Sequence, residues 1–455
     1  MTKTFASEID DWRQRGEVID IHAPVERRFE AAAITAEIQA TSNKIAVFHN
    51  VRGASMPVAT NLYGSRRRLR ALVGLQGHGD TLCAAFDRHV QRCLAPSAPF
   101  VSWDASAGER HATTLTRLPV LTYHEKDAGP YITTGIIVAK DPETGIHNLS
   151  FHRAMLVSDT ELRISIGPRH DLAALQRATE EGGRALEVAF LVGVSAGLFL
   201  AACTSLPRHS DELALAASID GAPVAMRKSP VLGLDIPIAA EIVIEGRILA
   251  NERRPEAPFG EWMGYYVEQK QSHVFEVAGV DCAPEPLFHA LVCGSNEDLR
   301  PLESATSARI FNVLRRQFDG ILDVVCFPTM LCTAIRIRQA YEGHARQVLL
   351  AAVTAHFMYS KICIVVDEDV DVHDLSDVMW AYATRARPDE RTQVLNNLPG
   401  FFRDPHKDHW GRLALDATVP WGRGPEFSRK RIPGRDRVDL ASLLREPRHS
   451  ANTAG

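Results

Sequence analysis

Between Pro119 and Ala278 the chain is written largely in short runs of β-branched and aromatic residues, and no other feature constrains its fold so tightly. Val120–Tyr123, Tyr131–Ala139, Ala154–Val157, Leu162–Ile166, Glu241–Gly246 and Val274–Ala278 all read as strands. Strands at this density, separated by Gly and Pro turns, predict a β-barrel or a curved sheet. Helical segments interrupt it near Leu172–Glu181 and Asp211–Ala217. After Ala305 the texture alternates. Helices are expected over Ala308–Phe318, Gly343–Phe357 and Leu375–Arg385, with strands at Leu322–Phe327, Thr333–Ile337 and Lys361–Val366, which is the signature of a separate α/β unit. Ahead of the β-rich part come helices at Phe5–Arg15, stopped by Gly16, and at Glu30–Ala40. Short strands follow the same pattern at Val18–Ile21, Ile45–Phe48 and Val58–Thr60. The fold class is therefore α+β. The expected division is an N-terminal α/β segment over 1–115, a β-rich domain over 116–304, an α/β domain over 305–445 and a disordered polar tail over 446–455.

The bulk chemistry narrows the function. A formal net charge of -5 gives no basic excess for nucleic acid or an anionic membrane surface. The longest apolar run, Val188–Cys203, carries Gly193, Ser195 and Gly197 and is shorter than the ~20 residues of a membrane span. It reads as a buried helix or as strand-turn-helix. The eight cysteines form no C-x-x-C pair, which suits reduced thiols in a cytoplasm better than a zinc site or a disulfide framework. The first residues lead into Glu8-Ile9-Asp10-Asp11 and lack the apolar core of a signal peptide. The three adjacent arginines of Arg66-Arg67-Arg68-Leu69-Arg70 could bind phosphate, but such a run more often is a solvated helix face, and Gly-rich phosphate motifs are missing.

Two features carry chemistry. In Pro255–Tyr266, Glu256 and Glu261 are separated by Pro258 and Gly260, which predict a tight irregular turn with the carboxylates pointing different ways. Phe259, Trp262 and Met263 would desolvate one of them, and desolvation raises a carboxyl pKa toward general-acid use. A solvated surface turn is the plain alternative. Asn148, His170 and Glu212 offer an amide oxygen, an imidazole and a carboxylate, a set suited to Mn²⁺ or Mg²⁺. Each also has an ordinary explanation as a turn, loop or first-turn helix residue.

Taken together, several motifs resemble the UbiD family of prenylated-FMN-dependent decarboxylases. They are Asn148-x-Ser150-x-x-Arg153, Pro168-Arg169-His170, Pro207 to Glu212, Glu241 to Gly246, Pro255-Glu256-x-Pro258-Phe259-Gly260-Glu261 and Phe357 to Lys361. The resemblance implies a flavin-reductase-like split β-barrel joined by a helix to a dimerisation domain. It implies prenylated FMN cradled by Asn148, Ser150, Phe151, His152, Arg153, Arg169, His170 and Glu212. Asn148, His170 and Glu212 would be Mn²⁺ ligands, and K⁺ a further cation. Arg153, Glu256 and Glu261 would form the catalytic network, Glu261 donating the proton once CO₂ has left. A flavin prenyltransferase would supply the cofactor, and the assembly would be a homodimer or a higher homo-oligomer.

The chain departs from its relatives at Arg169, where ferulic-acid-type members have Gln, and at Trp262, where they have Met. It keeps Glu261 where ubiquinone-pathway members have Asp. Bulk at Arg169 and Trp262 favours a compact aromatic or heteroaromatic acid, with a cinnamic-type α,β-unsaturated acid as the alternative. The readings from other classes are a plain FMN reductase and a non-catalytic subunit of a larger complex.

Overall fold

A computed structural model describes residues 3–75, 80–104, 108–406 and 410–443. The expected disordered tail at 446–455 lies outside them. At the centre is an antiparallel sheet ordered Ile242–Gly260, Leu186–Val192, Tyr131–Lys140, His147–Ser158, Glu161–Ile164, Tyr266–Cys282 and His111–Ala112. Ile242–Gly260 pairs with Tyr266–Cys282 as well as with Leu186–Val192, so the pairings return on themselves. The strands are not spaced evenly round one axis, and the expected split barrel is seen here as a strongly curved sheet.

Strand periodicity explains why both faces of this sheet are buried. Ile136, Val138, Ala189, Leu191 and Val243 enter a core shared with the helices Ala196–Ala202 and Glu212–Asp220. Their neighbours Ile137, Ala139, Val188, Phe190, Ile242 and Ile244 point into the opposite core. Gly135 is where the sheet closes tightest, since a Cβ there would lie 1.8 Å from Phe190 Cζ. The apolar run Val188–Cys203 is a strand, a turn at Gly193 (φ +69°) and a helix capped by Ser195, whose Oγ accepts from Leu198 N. Val120–Tyr123, expected as a strand, makes only isolated bridges, to Arg28 and to Tyr131, as the chain crosses between two sheets.

Three further sheets accompany this one among the described residues, the smallest ordered Asp235–Pro237, Val224–Lys228 and Val101–Trp103. Val18–Ile21, Ile45–Phe48 and Val58–Thr60 form the N-terminal sheet, and its fourth strand, Phe288–His289, arrives from beyond the central ribbon. The C-terminal sheet is ordered Ile321–Cys326, Cys332–Ile337, Ile362–Asp367, Trp410–Asp416 and Thr392–Leu398. Its strands alternate too: Cys363 and Val365 face the helix His344–Ala355, while Ile364 and Val366 face the helix Leu375–Arg385.

The helix expected to begin at Ala308 begins at Asn296 and runs to Arg315, through the expected boundary at 304/305 and with Pro301 inside it. Its first turn is held by Glu297, fully buried, whose carboxylate accepts from the backbone N–H groups of Asn61, Leu62 and Tyr63. His289 Nε2 lies 3.1 Å from the same carboxylate. No described helix is long and apolar enough to cross a membrane.

Candidate active site

The stretch Pro255–Gly260 is not the expected turn. It is the end of the long strand Ile242–Gly260, and the turn follows it, with Gly264 N donating to Glu261 O and Gly264 at φ +85°. Pro and Gly serve other purposes here. The pairing with Tyr266–Cys282 shifts register between Arg254 and Glu256 and again between Glu256 and Phe259, so the missing N–H of Pro258 falls at an irregularity. Gly260 lets the strand pass His124, whose ring a Cβ would strike at 2.5 Å.

The bulges turn both carboxylates to one side, not to different ones. Arg153, on the strand His147–Ser158, donates from Nε to Glu256 Oε1 and from Nη1 to Glu261 Oε2, each at 2.7 Å. Glu256 is fully buried and also accepts from Ser272 Oγ at 2.7 Å. The Arg153 guanidinium lies 4.2 Å from the centre of the Phe259 ring.

A residue that the sequence did not single out completes the group. Arg403, between the strands Thr392–Leu398 and Trp410–Asp416, donates from Nη1 to Glu261 Oε2 at 2.5 Å and from Nη2 to Ser165 Oγ at 2.7 Å. The only signal for it is its place in Gly400-Phe401-Phe402-Arg403-Asp404-Pro405, a loop too rich in aromatics to be pure solvent.

Arg403 also reverses an expectation. Burial pushes the Glu261 carboxyl up, but Arg403 and Arg153 more than offset it and hold it at about 2. With its folded value below its unfolded one, this carboxylate stabilises the fold fully above about pH 4.5, and that contribution is lost as pH falls toward 2. Close by, the Cys293 thiol donates to Glu261 Oε1 across 3.8 Å, and burial lifts the Asp298 carboxyl to about 6.

These groups open on a cavity of about 640 Å³, within the range of small-molecule and cofactor sites. Asn148, Ser150, Phe151, His152, Arg153, Arg169, His170, Glu212 and Glu261 all line it, whereas Glu256 stands behind Arg153 and does not. Trp262, Tyr359 and Phe401 form an aromatic wall, with ring centroids of Trp262 and Phe401 4.9 Å apart. At the other end Glu212 accepts from Leu149 N at 3.1 Å, and burial raises its carboxyl to about 8. Burial, then Arg403, lowers the His170 pKa and so favours its neutral imidazole, and its ring makes no hydrogen bond to any described residue. His152 is neutral as well, held at about 3 by burial and by His170, with Nε2 2.9 Å from Ser150 Oγ.

A buried carboxylate without a cation, a neutral imidazole and the Asn148 amide fit a hard or borderline divalent ion. Among the described residues no three of His, Cys, Asp and Glu gather as a metal cluster, and this set contains only two of those types. Its remaining positions would fall to Asn148 and to non-protein oxygens.

Known proteins match this architecture along its length. Residues 9–84, 101–296 and 299–417 match, in turn, the N-terminal, Rift-related and C-terminal domains of the 3-octaprenyl-4-hydroxybenzoate carboxy-lyase family, UbiD. Among curated proteins, the anhydromevalonate phosphate decarboxylase of Methanothermobacter thermautotrophicus is 29% identical over 420 residues, covering 91% of this chain and 96% of that one. Among solved structures, the UbiD-class enzyme HmfF from Pelotomaculum thermopropionicum in complex with FMN superposes with a TM-score of 0.89 at 29% identity. The match covers 97% of this chain and all of the other. An evolved dimeric form of HmfF in complex with prenylated FMN gives a TM-score of 0.86 at 28% identity, over 97% of this chain and 100% of that one.

Proposed function

The chain belongs to the UbiD family and is a carboxy-lyase, and from that premise we propose that it removes CO₂ without oxidation from a compact aromatic or heteroaromatic acid, with prenylated FMN and Mn²⁺ bound in the cavity. The observation that carries this reading is the buried Glu256–Arg153–Glu261 group, aligned at 2.7 Å, with Arg153 and Glu261 on the cavity wall and Glu256 behind them. A plain flavin reductase has no use for it. A non-catalytic subunit would have no reason to keep the three residues together.

Prenylated FMN, when bound, supplies the electron sink that an sp² carbon needs as CO₂ departs. The chain's residues do the rest. Asn148, His170 and Glu212 would hold the metal beside the cofactor phosphate. Ser150 through Arg153 and Arg169 would line the cofactor. Arg153 is locked by Glu256 and Phe259 and so fixes where Glu261 stands. Glu261, once protonated, delivers its proton to the carbon that lost CO₂. The wall of Trp262, Tyr359 and Phe401 excludes water and favours a flat, short acid.

In a panel of acids assayed for CO₂ release, compact aromatic and heteroaromatic acids should exceed cinnamate by on the order of tenfold or more, because the wall penalises length. Cinnamate as the best substrate would overturn that preference. A second reading has its own support. Arg208, Arg309 and Arg316 add positive charge to the cavity wall, and a relative aligned over nearly its whole length is named for a phosphorylated substrate. Turnover of a phosphorylated enoic acid above every aromatic acid would put this reading first.

The C-terminal unit is also where we place a homodimer contact. Leu375, Met379 and Val394 are large, apolar and exposed, and Val394 lies on the edge strand Thr392–Leu398. Light scattering at micromolar concentration should give twice the chain mass, and a monomer mass would refute the contact.

A further inference from the structure

The ion-paired groups at Glu261 balance in charge. Arg153 and Arg403 contribute two positive charges, and Glu256 and Glu261 two negative ones. A substrate carboxylate entering beside them would leave one uncompensated negative charge in a buried site, which costs far more than a surface charge. The geometry shows which group can yield. Arg153 is pinned by Glu256 on one side and by the Phe259 ring on the other. Arg403 sits on a loop of the C-terminal unit, with its guanidinium 4.9 Å from the centre of the Phe402 ring of that same loop, and among the described residues it donates side-chain hydrogen bonds to Glu261 and Ser165. Its Nε is buried without an acceptor, as is Nη2 of Arg153.

We propose that Arg403 is the receptor for the substrate carboxylate, and that by leaving Glu261 for the substrate it makes Glu261 take up the proton that the reaction later consumes. This rests on the reading of Glu261 as the acid. The balance closes over one turnover. A carboxylate and one proton enter. The C–C bond to the carboxylate breaks, CO₂ leaves neutral, and the bond's electron pair stays on the carbon. That pair takes the proton from Glu261, which returns to its carboxylate form and to Arg403.

The other titratable groups facing Glu261 are Glu256, Cys293, Asp298 and Tyr359. Of these Asp298 is the competitor for the proton, being a buried carboxyl that also lines the cavity.

The test is calorimetry of benzoate and crotonate binding to the FMN-loaded full-length protein. It is run in two buffers of different ionisation enthalpy, so that protons taken up per acid bound can be counted. The wild type should take up about one proton per acid at neutral pH, as linkage requires when a carboxyl changes state on binding. Arg403→Gln should bind the acids on the order of tenfold more weakly and take up well under one proton, with partial recovery in Arg403→Lys. Asp298→Asn should behave as wild type. Wild-type uptake and affinity in Arg403→Gln would overturn the hand-over, as would the absence of uptake with both acids at tens of millimolar. Undiminished uptake in Glu261→Gln would instead remove Glu261 as the acceptor. That result strikes the acid reading itself and is distinguishable from a failure of Arg403. Uptake lost only in Asp298→Asn would move the proton to Asp298 and overturn the proposal.

Discussion

A Glu261→Gln enzyme should turn over at roughly a hundredth of the wild-type rate or less, the usual worth of a positioned acid, while still binding flavin and metal. Glutamine preserves the size of the side chain and an oxygen that can accept from Arg153 and Arg403, whose bonds now converge on Glu261 Oε2. What it lacks is a transferable proton. The loss should fall on kcat more than on KM, because the group acts after the substrate is bound. In D₂O the wild-type product should carry deuterium at the carbon that lost CO₂. Glu256→Gln should slow turnover by a smaller factor, since Glu256 does not reach the cavity and acts only by orienting Arg153. If Glu261 were an ordinary surface acid its substitution would change little. Near-native turnover in Glu261→Gln with intact cofactor would end the proposed role.

The other large effect is loss of the cofactor. Protein made in a host without a flavin prenyltransferase should be almost inactive, and co-expression of that enzyme should restore activity together with a flavin-type absorbance and Mn²⁺ in similar amounts. His170→Ala or Glu212→Ala should lose metal and flavin together. In each variant one of the two strongest candidate donors at that end of the cavity is gone, and the metal is what would tie the cofactor phosphate to the chain. Glu212 gives a second readout. Its buried carboxyl lies at about 8 without a cation, so below that value Mn²⁺ must displace a proton to bind. Metal affinity should therefore rise with pH through the neutral range. Stoichiometric Mn²⁺ in both variants would show that the ligands lie elsewhere, and full activity in metal-free, flavin-free protein would sink the cofactor assignment.

Local pattern made much of the fold legible. Val18–Ile21 and Leu375–Arg385 fall where alternation and amphipathic spacing put them, because short-range burial decides such elements. The ribbon Ile242–Gly260 was not legible as one strand. Pro255, Pro258 and Gly260 are breakers in an isolated sequence, and only the register of the facing strand shows that they sit at bulges. Thr392–Leu398 and Trp410–Asp416 lack a clean apolar alternation: the first is an edge strand with no buried residue, and the second is buried by its neighbours in the sheet.

The site divides in the same way. The desolvation of Glu261 can be read from Phe259 and Trp262 beside it. The direction of its pKa cannot, because Arg403 lies 142 residues away and overrides burial. The resemblance to UbiD, now supported along the chain by the family matches, named Asn148, Ser150 to Arg153, Arg169, His170 and Glu212. What their side chains do remains the proposal made above.

The mooring of Glu297 has a consequence for how the chain is made. Asn61 and the carboxylate that satisfies its backbone N–H are separated by 236 residues. The fourth strand of the N-terminal sheet arrives almost as late. At a synthesis rate of ~5–20 residues per second, the start of the chain waits on the order of ten to fifty seconds before its partners leave the ribosome. Through that interval the row of N–H groups at Asn61–Tyr63 and the open edge of Val58–Thr60 have no native cover. The last long strand of the central sheet, Tyr266–Cys282, emerges only shortly before those partners do. Expression yield should therefore depend on translation speed and on chaperones that shield nascent chains more than the stability of the finished enzyme would suggest.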